Sequence, residues 1–85
     1  EELWPGNPRE AVDILLVALS ESYKDTIRKT DGFGLYYYHD TLGLFIRNQF
    51  GLWQGNKGLI VKGIHPDVAS MAIIHLLWKR LRTNQ

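Results

Sequence analysis

The sequence predicts an all-α protein, a compact orthogonal bundle of about four helices formed by a single domain over residues 1–85. Three observations support this prediction. The chain has 85 residues, of which 45% are hydrophobic, and this suffices for one small core. Apolar residues recur at helical spacing, and capping residues stand where those segments begin. One short β-hairpin is left open. Residues 35–38 suit either a strand, by composition, or the entry into the third helix, and the apolar segment 59–61 is too short to assign.

The first two helices are predicted from their start signals. Asn7 precedes Pro8, which suits the first helical position, and Glu10 follows Asn7 by three residues, as in a capping box. Ser20 is predicted to cap a second, more polar helix that runs to Lys29. The charged residues of this second helix are expected to form a solvated face: Glu21, Lys24, Asp25, Arg28 and Lys29.

The third and fourth helices are predicted from apolar spacing. The third covers residues 38–50, and Gly51 follows as a natural left-handed cap. The fourth covers residues 65–81 and carries Pro66 in its first turn. This last helix is apolar nearly all round, so we expect it to be central and mostly buried, with His75 half-buried within it.

Composition and charge argue against several classes of protein. The chain has no cysteine, which excludes disulfides, cysteine-ligated zinc and thiol nucleophiles. Its net charge of +1 argues against a dedicated nucleic-acid binder. No apolar run is long enough to span a bilayer, so no membrane partner is expected. Because no signal-peptide pattern is visible, we expect a cytoplasmic protein, with a removed signal left open.

No chemical motif indicates an enzyme. The three histidines show no metal-ligand spacing, and the serines have no nucleophile-elbow context. We therefore predict no catalytic residue, no metal and no cofactor, and we leave open whether the protein has an activity.

One candidate ligand site centres on Arg47. Gly43 lies inside the third helix at a cost of about 1 kcal/mol relative to Ala, so some group is expected to approach it closely. Arg47 lies on the same helical face, and its donors suit a carboxylate or phosphate. The alternative function is therefore a small-ligand or anion-binding domain centred on Arg47, with a hydrolytic activity left open. The preferred interpretation of Arg47 is structural: Arg47 and Asn48 hydrogen-bond the irregular backbone of residues 54–63, which needs donors. The candidate ligand-binding residues are His39, Asp40, Arg47 and Asn48.

A second candidate site is an aromatic run. Seven of the ten aromatic residues and six of the eight glycines fall between residues 32 and 58. Tyrosine is enriched at protein interfaces, so the main hypothesis is a non-enzymatic protein-interaction module, such as an accessory, immunity-like or regulatory protein. Its contact surface would include residues 54–63, and a homodimer through the same segment is left open. The candidate partner-binding residues are Phe33, Tyr36, Tyr37 and Tyr38.

Three sequence blocks carry a resemblance to a known family. They are Pro8-Arg9-Glu10-Ala11, then Leu42-Gly43 with Ile46-Arg47-Asn48 and Phe50-Gly51-Leu52-Trp53, and finally His65-Pro66-Asp67 with Ser70. With these blocks the chain resembles, over nearly its whole length, a small family of bacterial proteins defined only as a domain of unknown function. The resemblance implies a helical bacterial domain and brings no activity, cofactor or catalytic residue with it.

Overall fold

The computed structural model describes residues 4–83, and over this range the chain folds around its last helix. The elements are α1 (Pro8–Ala18), α2 (Glu21–Lys29), a 3-10 helix (Phe33–Tyr38), α3 (Leu42–Gln49) and α4 (Pro66–Thr83). Helix α4 packs against each of the other four elements. No strand occurs between residues 4 and 83, so the all-α prediction is confirmed and the hairpin left open is not formed.

Helices α1 and α2 begin where the sequence predicts. The Asn7 side chain accepts a hydrogen bond from the Glu10 amide at 2.9 Å, and the Glu10 carboxylate accepts one from the Gly6 amide at 2.7 Å. The Ser20 hydroxyl accepts from the Tyr23 amide at 3.1 Å. These bonds satisfy amides of the first turn that have no partner inside a helix.

The prediction that the charged residues of α2 form a solvated face is wrong for Lys24, because this residue is buried. Its Nζ donates to the carbonyl of Leu16 at 2.8 Å and lies 2.9 Å from a carboxylate oxygen of Glu21. Leu16 is in the last turn of α1, where carbonyls lack an intrahelical donor. Lys24 therefore ties the end of α1 to the start of α2.

The segment before α3 is a 3-10 helix, which is neither the strand nor the early part of α3 that the sequence left open. In a 3-10 helix, residues three apart lie on the same side. Leu35 and Tyr38 follow this spacing, and both are buried. The Thr41 amide donates to the Tyr38 carbonyl at 3.2 Å, and this turn delays the start of α3 to Leu42 rather than residue 38.

Helix α3 ends at a glycine cap, as predicted. Gly51 has a φ of 72°, and the Leu52 amide donates back to the Arg47 carbonyl at 3.2 Å, as in a Schellman motif. The indole of Trp4 lies directly against Gly51, where any Cβ would overlap it. The segment before α1 is therefore packed on the end of α3.

Helix α4 is central but not buried all round. Its outer face exposes Val68, His75 and Leu76, so the prediction that His75 is half-buried is wrong. The other elements cover only part of the helix, because a domain of this size has too few residues to enclose it. None of the helices between residues 4 and 83 combines the length and apolar character needed to cross a membrane.

Candidate functional site

Arg47 is a buried cation that joins α3 to the first turn of α4, with only 5% of the residue exposed. Its Nη1 donates to the Ser70 hydroxyl at 3.0 Å, and its Nη2 donates to the His39 carbonyl at 3.3 Å. Its Nε lies 3.5 Å from Oδ1 of Asp67. The guanidinium therefore has an acidic partner and two neutral acceptors within the chain.

The group that approaches Gly43 is this guanidinium. A Cβ at Gly43 would lie 3.0 Å from Nη1 of Arg47, 3.4 Å from the Tyr38 carbonyl oxygen and 3.6 Å from the Ser70 hydroxyl. Gly43 precedes Arg47 by four residues, so the two lie on the same helix face. The glycine leaves room for the arginine to reach α4.

The late block that begins at His65 provides two of the three partners of Arg47, Asp67 and Ser70. His65 Nδ1 accepts from the Asp67 amide at 3.0 Å and so caps the start of α4. The Ser70 hydroxyl donates to the Asp67 carbonyl at 3.0 Å while it accepts from Arg47. Two sequence blocks that are more than 20 residues apart thus meet in one network.

The structure brings three of the four predicted ligand-binding residues together. His39 Nδ1 lies 2.9 Å from Oδ1 of Asp40, and His39 Nε2 lies 3.6 Å from Oδ2 of Asp67. His39 therefore stands between two carboxylates, one of which also contacts Arg47. Asn48 is exposed on α3 and takes no part in this network.

This network is arranged as an internal ion pair. Asp67 occupies the position that the carboxylate or phosphate of a ligand would take beside Arg47. Between residues 4 and 83 no buried side-chain nitrogen or oxygen lacks a hydrogen-bond partner. An external anion would have to displace Asp67 from a guanidinium that is almost fully buried. The geometry therefore favours a positioning role for Arg47 over ligand binding.

The prediction that Arg47 and Asn48 hold the loop at residues 54–63 is wrong, because Arg47 donates to Ser70 and His39 and the loop is held by Asn56. Asn56 is buried, and its Nδ2 donates to the carbonyls of Phe50 at 2.8 Å and Pro5 at 3.0 Å. Its Oδ1 accepts from the Gly58 amide at 3.0 Å. The available signal was an asparagine in a glycine-rich turn, where such side chains bond the backbone.

The aromatic run divides between core and solvent. Tyr38 is buried, and its ring packs edge-on against Tyr23 with centroids 6.0 Å apart, so it does not belong to a partner-binding surface. Phe33, Tyr36 and Tyr37 are exposed, and the Tyr36 ring stacks on His39 at 5.1 Å. These three residues are called the aromatic surface below.

Among residues 4–83, no three His, Asp or Glu side chains are grouped so that they could hold a metal ion. His39 contacts protein groups: Nδ1 shares a hydrogen bond with Asp40, and Nε2 lies near Asp67.

The fold and this network define a small all-α domain in which a buried arginine ties α3 to the central helix. The chain belongs to the family described as Domain of unknown function (DUF6794), whose model matches residues 4–81. This confirms the resemblance to a small family of unknown function. Comparison with curated proteins and with solved structures gave no match.

Proposed function

We propose that this domain is a non-enzymatic protein-interaction module that contacts its partner through the aromatic surface. The observation that supports this is the exposure of three aromatic residues of one 3-10 helix, 97% for Phe33, 67% for Tyr36 and 83% for Tyr37. Large apolar side chains grouped at the surface of a small domain are typical of interaction sites.

The aromatic surface is held on a rigid support. Leu35 and Tyr38 anchor the 3-10 helix in the core, and the Tyr38 hydroxyl lies 3.2 Å from that of Thr30. The Trp78 indole donates to the Thr30 carbonyl at 2.7 Å, which fixes the preceding turn to α4. A backbone that is already fixed loses little entropy on binding, and this favours recognition.

The chemistry of the surface suits a protein partner. Tyrosine offers a large contact area with few rotatable bonds and a hydroxyl that tolerates water, and it is enriched in interface hot spots. Phe33 lies three residues before Tyr36, so the two share one edge of the 3-10 helix. Together they could fill an apolar pocket of a partner while the Tyr37 hydroxyl bonds at the rim. An accessory, immunity-like or regulatory role would act through such a contact.

Site-specific photo-crosslinking tests this proposal. A benzophenone amino acid at position 37, introduced in the native cells, should capture one predominant protein, which is then purified. Titration calorimetry should show that the triple variant F33A/Y36A/Y37A binds that protein at least about tenfold more weakly, since loss of one hot spot alone costs about 2 kcal/mol.

A matched control carries V17A/L44A/V68A, which truncates three exposed apolar residues on α1, α3 and α4. It should bind the captured protein like the wild type. If the aromatic variant keeps full affinity, or if no protein is captured at position 37, the proposal is wrong. Capture of a second copy of this chain, with a dimer mass in light scattering, would make the aromatic surface a homodimer interface instead.

A further inference from the structure

A groove between α1 and α4 forms a second surface that sequence reasoning did not identify. Its volume is about 480 Å³, within the range of about 300–1,000 Å³ that ligand sites usually have. Residues from the first turns of α1 and from the last turns of α4 line it, so α1 begins beside the end of α4. The lining residues are Arg9, Val12, Leu76, Lys79, Arg80 and Thr83. This surface is called the basic groove below.

The charge of the basic groove is only partly neutralised by the chain. Arg80 Nη2 lies 2.8 Å from Oδ1 of Asp13. Arg9 and Lys79 are exposed and form no ion pair with any residue between 4 and 83. Arg9 lies in the first turn of α1, where the helix dipole disfavours a cation, so its charge does not stabilise that helix. The groove therefore offers two cations to an external anion.

The floor of the basic groove is apolar. Val12 is buried at its base, and Leu76 is 44% exposed within its lining. Cations beside an open apolar floor fit a ligand that carries carboxylates next to an aliphatic group. The exposed Arg9, Lys79 and Thr83 leave the groove open to solvent, which suits a peptide segment better than an enclosed small molecule.

From this complementarity we infer that the basic groove binds an acidic peptide segment of a partner protein, in which an aliphatic side chain lies between carboxylates. The aliphatic group would cover Leu76 and Val12, and the carboxylates would pair with Arg9 and Lys79. The inference concerns a surface separate from the aromatic surface and does not depend on it. Nucleic acid is less suited, because its affinity comes from many phosphate contacts and the groove has only two unpaired cations.

Peptide titration tests this inference. The probe is an acetylated, amidated peptide with one leucine between pairs of glutamates, and its binding is followed by the amide NMR shifts of the protein. Shifts should concentrate on the first turn of α1 and the last turns of α4. The variant R9E/K79E should bind at least about tenfold more weakly, and added salt should weaken binding to the wild type.

Four controls distinguish the groove from general electrostatics. The variant K57E/K62E makes the same change of charge at two exposed lysines of the loop after α3 and should bind almost as the wild type does. A peptide with glycine for leucine should bind more weakly, and one with lysines for glutamates should not bind. The milder R9Q/K79Q variant, checked by circular dichroism, should lose affinity without loss of fold.

The inference is wrong if R9E/K79E and K57E/K62E weaken peptide binding equally, or if the amide shifts lie outside the basic groove. It is also wrong if decanoate shifts the groove amides while the peptide does not, because the ligand would then be a small amphiphile.

Discussion

Arg47 shows how one side chain can organise two helices. Removing a guanidinium from water is costly, and the cost is offset only when charge and hydrogen bonds are both supplied. Asp67 supplies the charge at 3.5 Å, and the Ser70 hydroxyl and His39 carbonyl supply acceptors. The guanidinium is planar and its N–H groups point in fixed directions, so acceptors can bind it only at certain positions. The network therefore fixes how α3 lies on α4.

A first prediction concerns Gly43→Ala. Helix propensity favours alanine by about 1 kcal/mol. Its Cβ, however, would lie 3.0 Å from Nη1 of Arg47, and that group cannot retreat without weakening its bond to Ser70. We expect the clash to win in the wild type, so that Gly43→Ala lowers the free energy of unfolding by about 1 kcal/mol in urea denaturation.

The control for this prediction is the same substitution in an Arg47→Met background, where the guanidinium is gone and an unbranched stem remains. There Gly43→Ala should raise the free energy of unfolding by up to about 1 kcal/mol, because only helix propensity remains. The difference between the effects of Gly43→Ala in the two backgrounds is the coupling energy between positions 43 and 47. Equal effects in both backgrounds would contradict the assignment of Gly43 as room for Arg47.

A second prediction concerns Tyr23 and pH. Burial raises the pKa of Tyr23 above its usual value of 10.0; the nearby Tyr38 adds to the shift, and a hydrogen bond with Thr41 opposes it. A raised pKa in the folded state means that this contribution to stability is complete below pH 10 and is lost as pH rises through the folded value. The free energy of unfolding should therefore fall more steeply above pH 10 in the wild type than in Tyr23→Phe.

Urea denaturation of both proteins between pH 7 and 11 checks this expectation. The quantity compared is the free energy of unfolding of the wild type minus that of Tyr23→Phe, because ionisations that the two proteins share cancel in this difference. That difference should be constant up to about pH 9 and should shrink above pH 10. A difference that stays constant to pH 11 would show that Tyr23 ionises equally in the folded and unfolded states.

At the scale of elements, local signals were predictable and contacts between distant segments were not. Asn7 and Ser20 cap helices through bonds to amides three residues away, so the pattern that predicts them lies in the sequence itself. Gly51 is similar, because a left-handed cap is a property of one residue. Lys24 was predicted to be solvated and Asn56 was not singled out, because the partners of both residues depend on how distant segments pack.

The candidate site was predicted only in part, for the same reason. Two sequence blocks indicated Arg47 and the turn at Asp67 separately, but only the packing of α3 on α4 places them 3.5 Å apart. Asn48 follows Arg47 directly, yet a helix turns by about 100° per residue and carries it to the exposed side. The 3-10 helix was missed because its spacing of three differs from both helix and strand periods.

A third prediction tests whether Asn56 ties the loop between α3 and α4 to the segment before α1. Asn56→Ala leaves the carbonyls of Pro5 and Phe50 without this donor and should lower the free energy of unfolding by about 2–3 kcal/mol. Asn56→Asp also removes the donor but keeps the oxygen that accepts from Gly58. Both variants should be destabilised in urea denaturation.

Hydrogen exchange separates the two Asn56 variants. The Gly58 amide should exchange slowly in Asn56→Asp and quickly in Asn56→Ala, measured relative to amides of α4 in the same sample. If Gly58 exchanges at the same relative rate in both, its bond to the Asn56 side chain does not hold the loop.

At the scale of the whole molecule, the aromatic residues serve two separate purposes. Tyr38 and Phe50 belong to the core, together with residues from all four α-helices. Phe33, Tyr36 and Tyr37 lie largely outside it, although Tyr36 stacks on His39. A chain of 85 residues has few large side chains to spare from its core, so three exposed aromatics in one short 3-10 helix require an explanation other than folding.

The last prediction separates these two purposes by stability alone. The triple variant F33A/Y36A/Y37A should change the free energy of unfolding by no more than about 0.5 kcal/mol per site, as is usual for exposed positions. Tyr38→Ala, in the same 3-10 helix, should cost about 3–5 kcal/mol, because it removes a buried ring from the core. Urea denaturation of the two variants gives both values directly. A triple variant as unstable as Tyr38→Ala would mean that the aromatic surface stabilises the fold, and the main argument for a partner there would be lost.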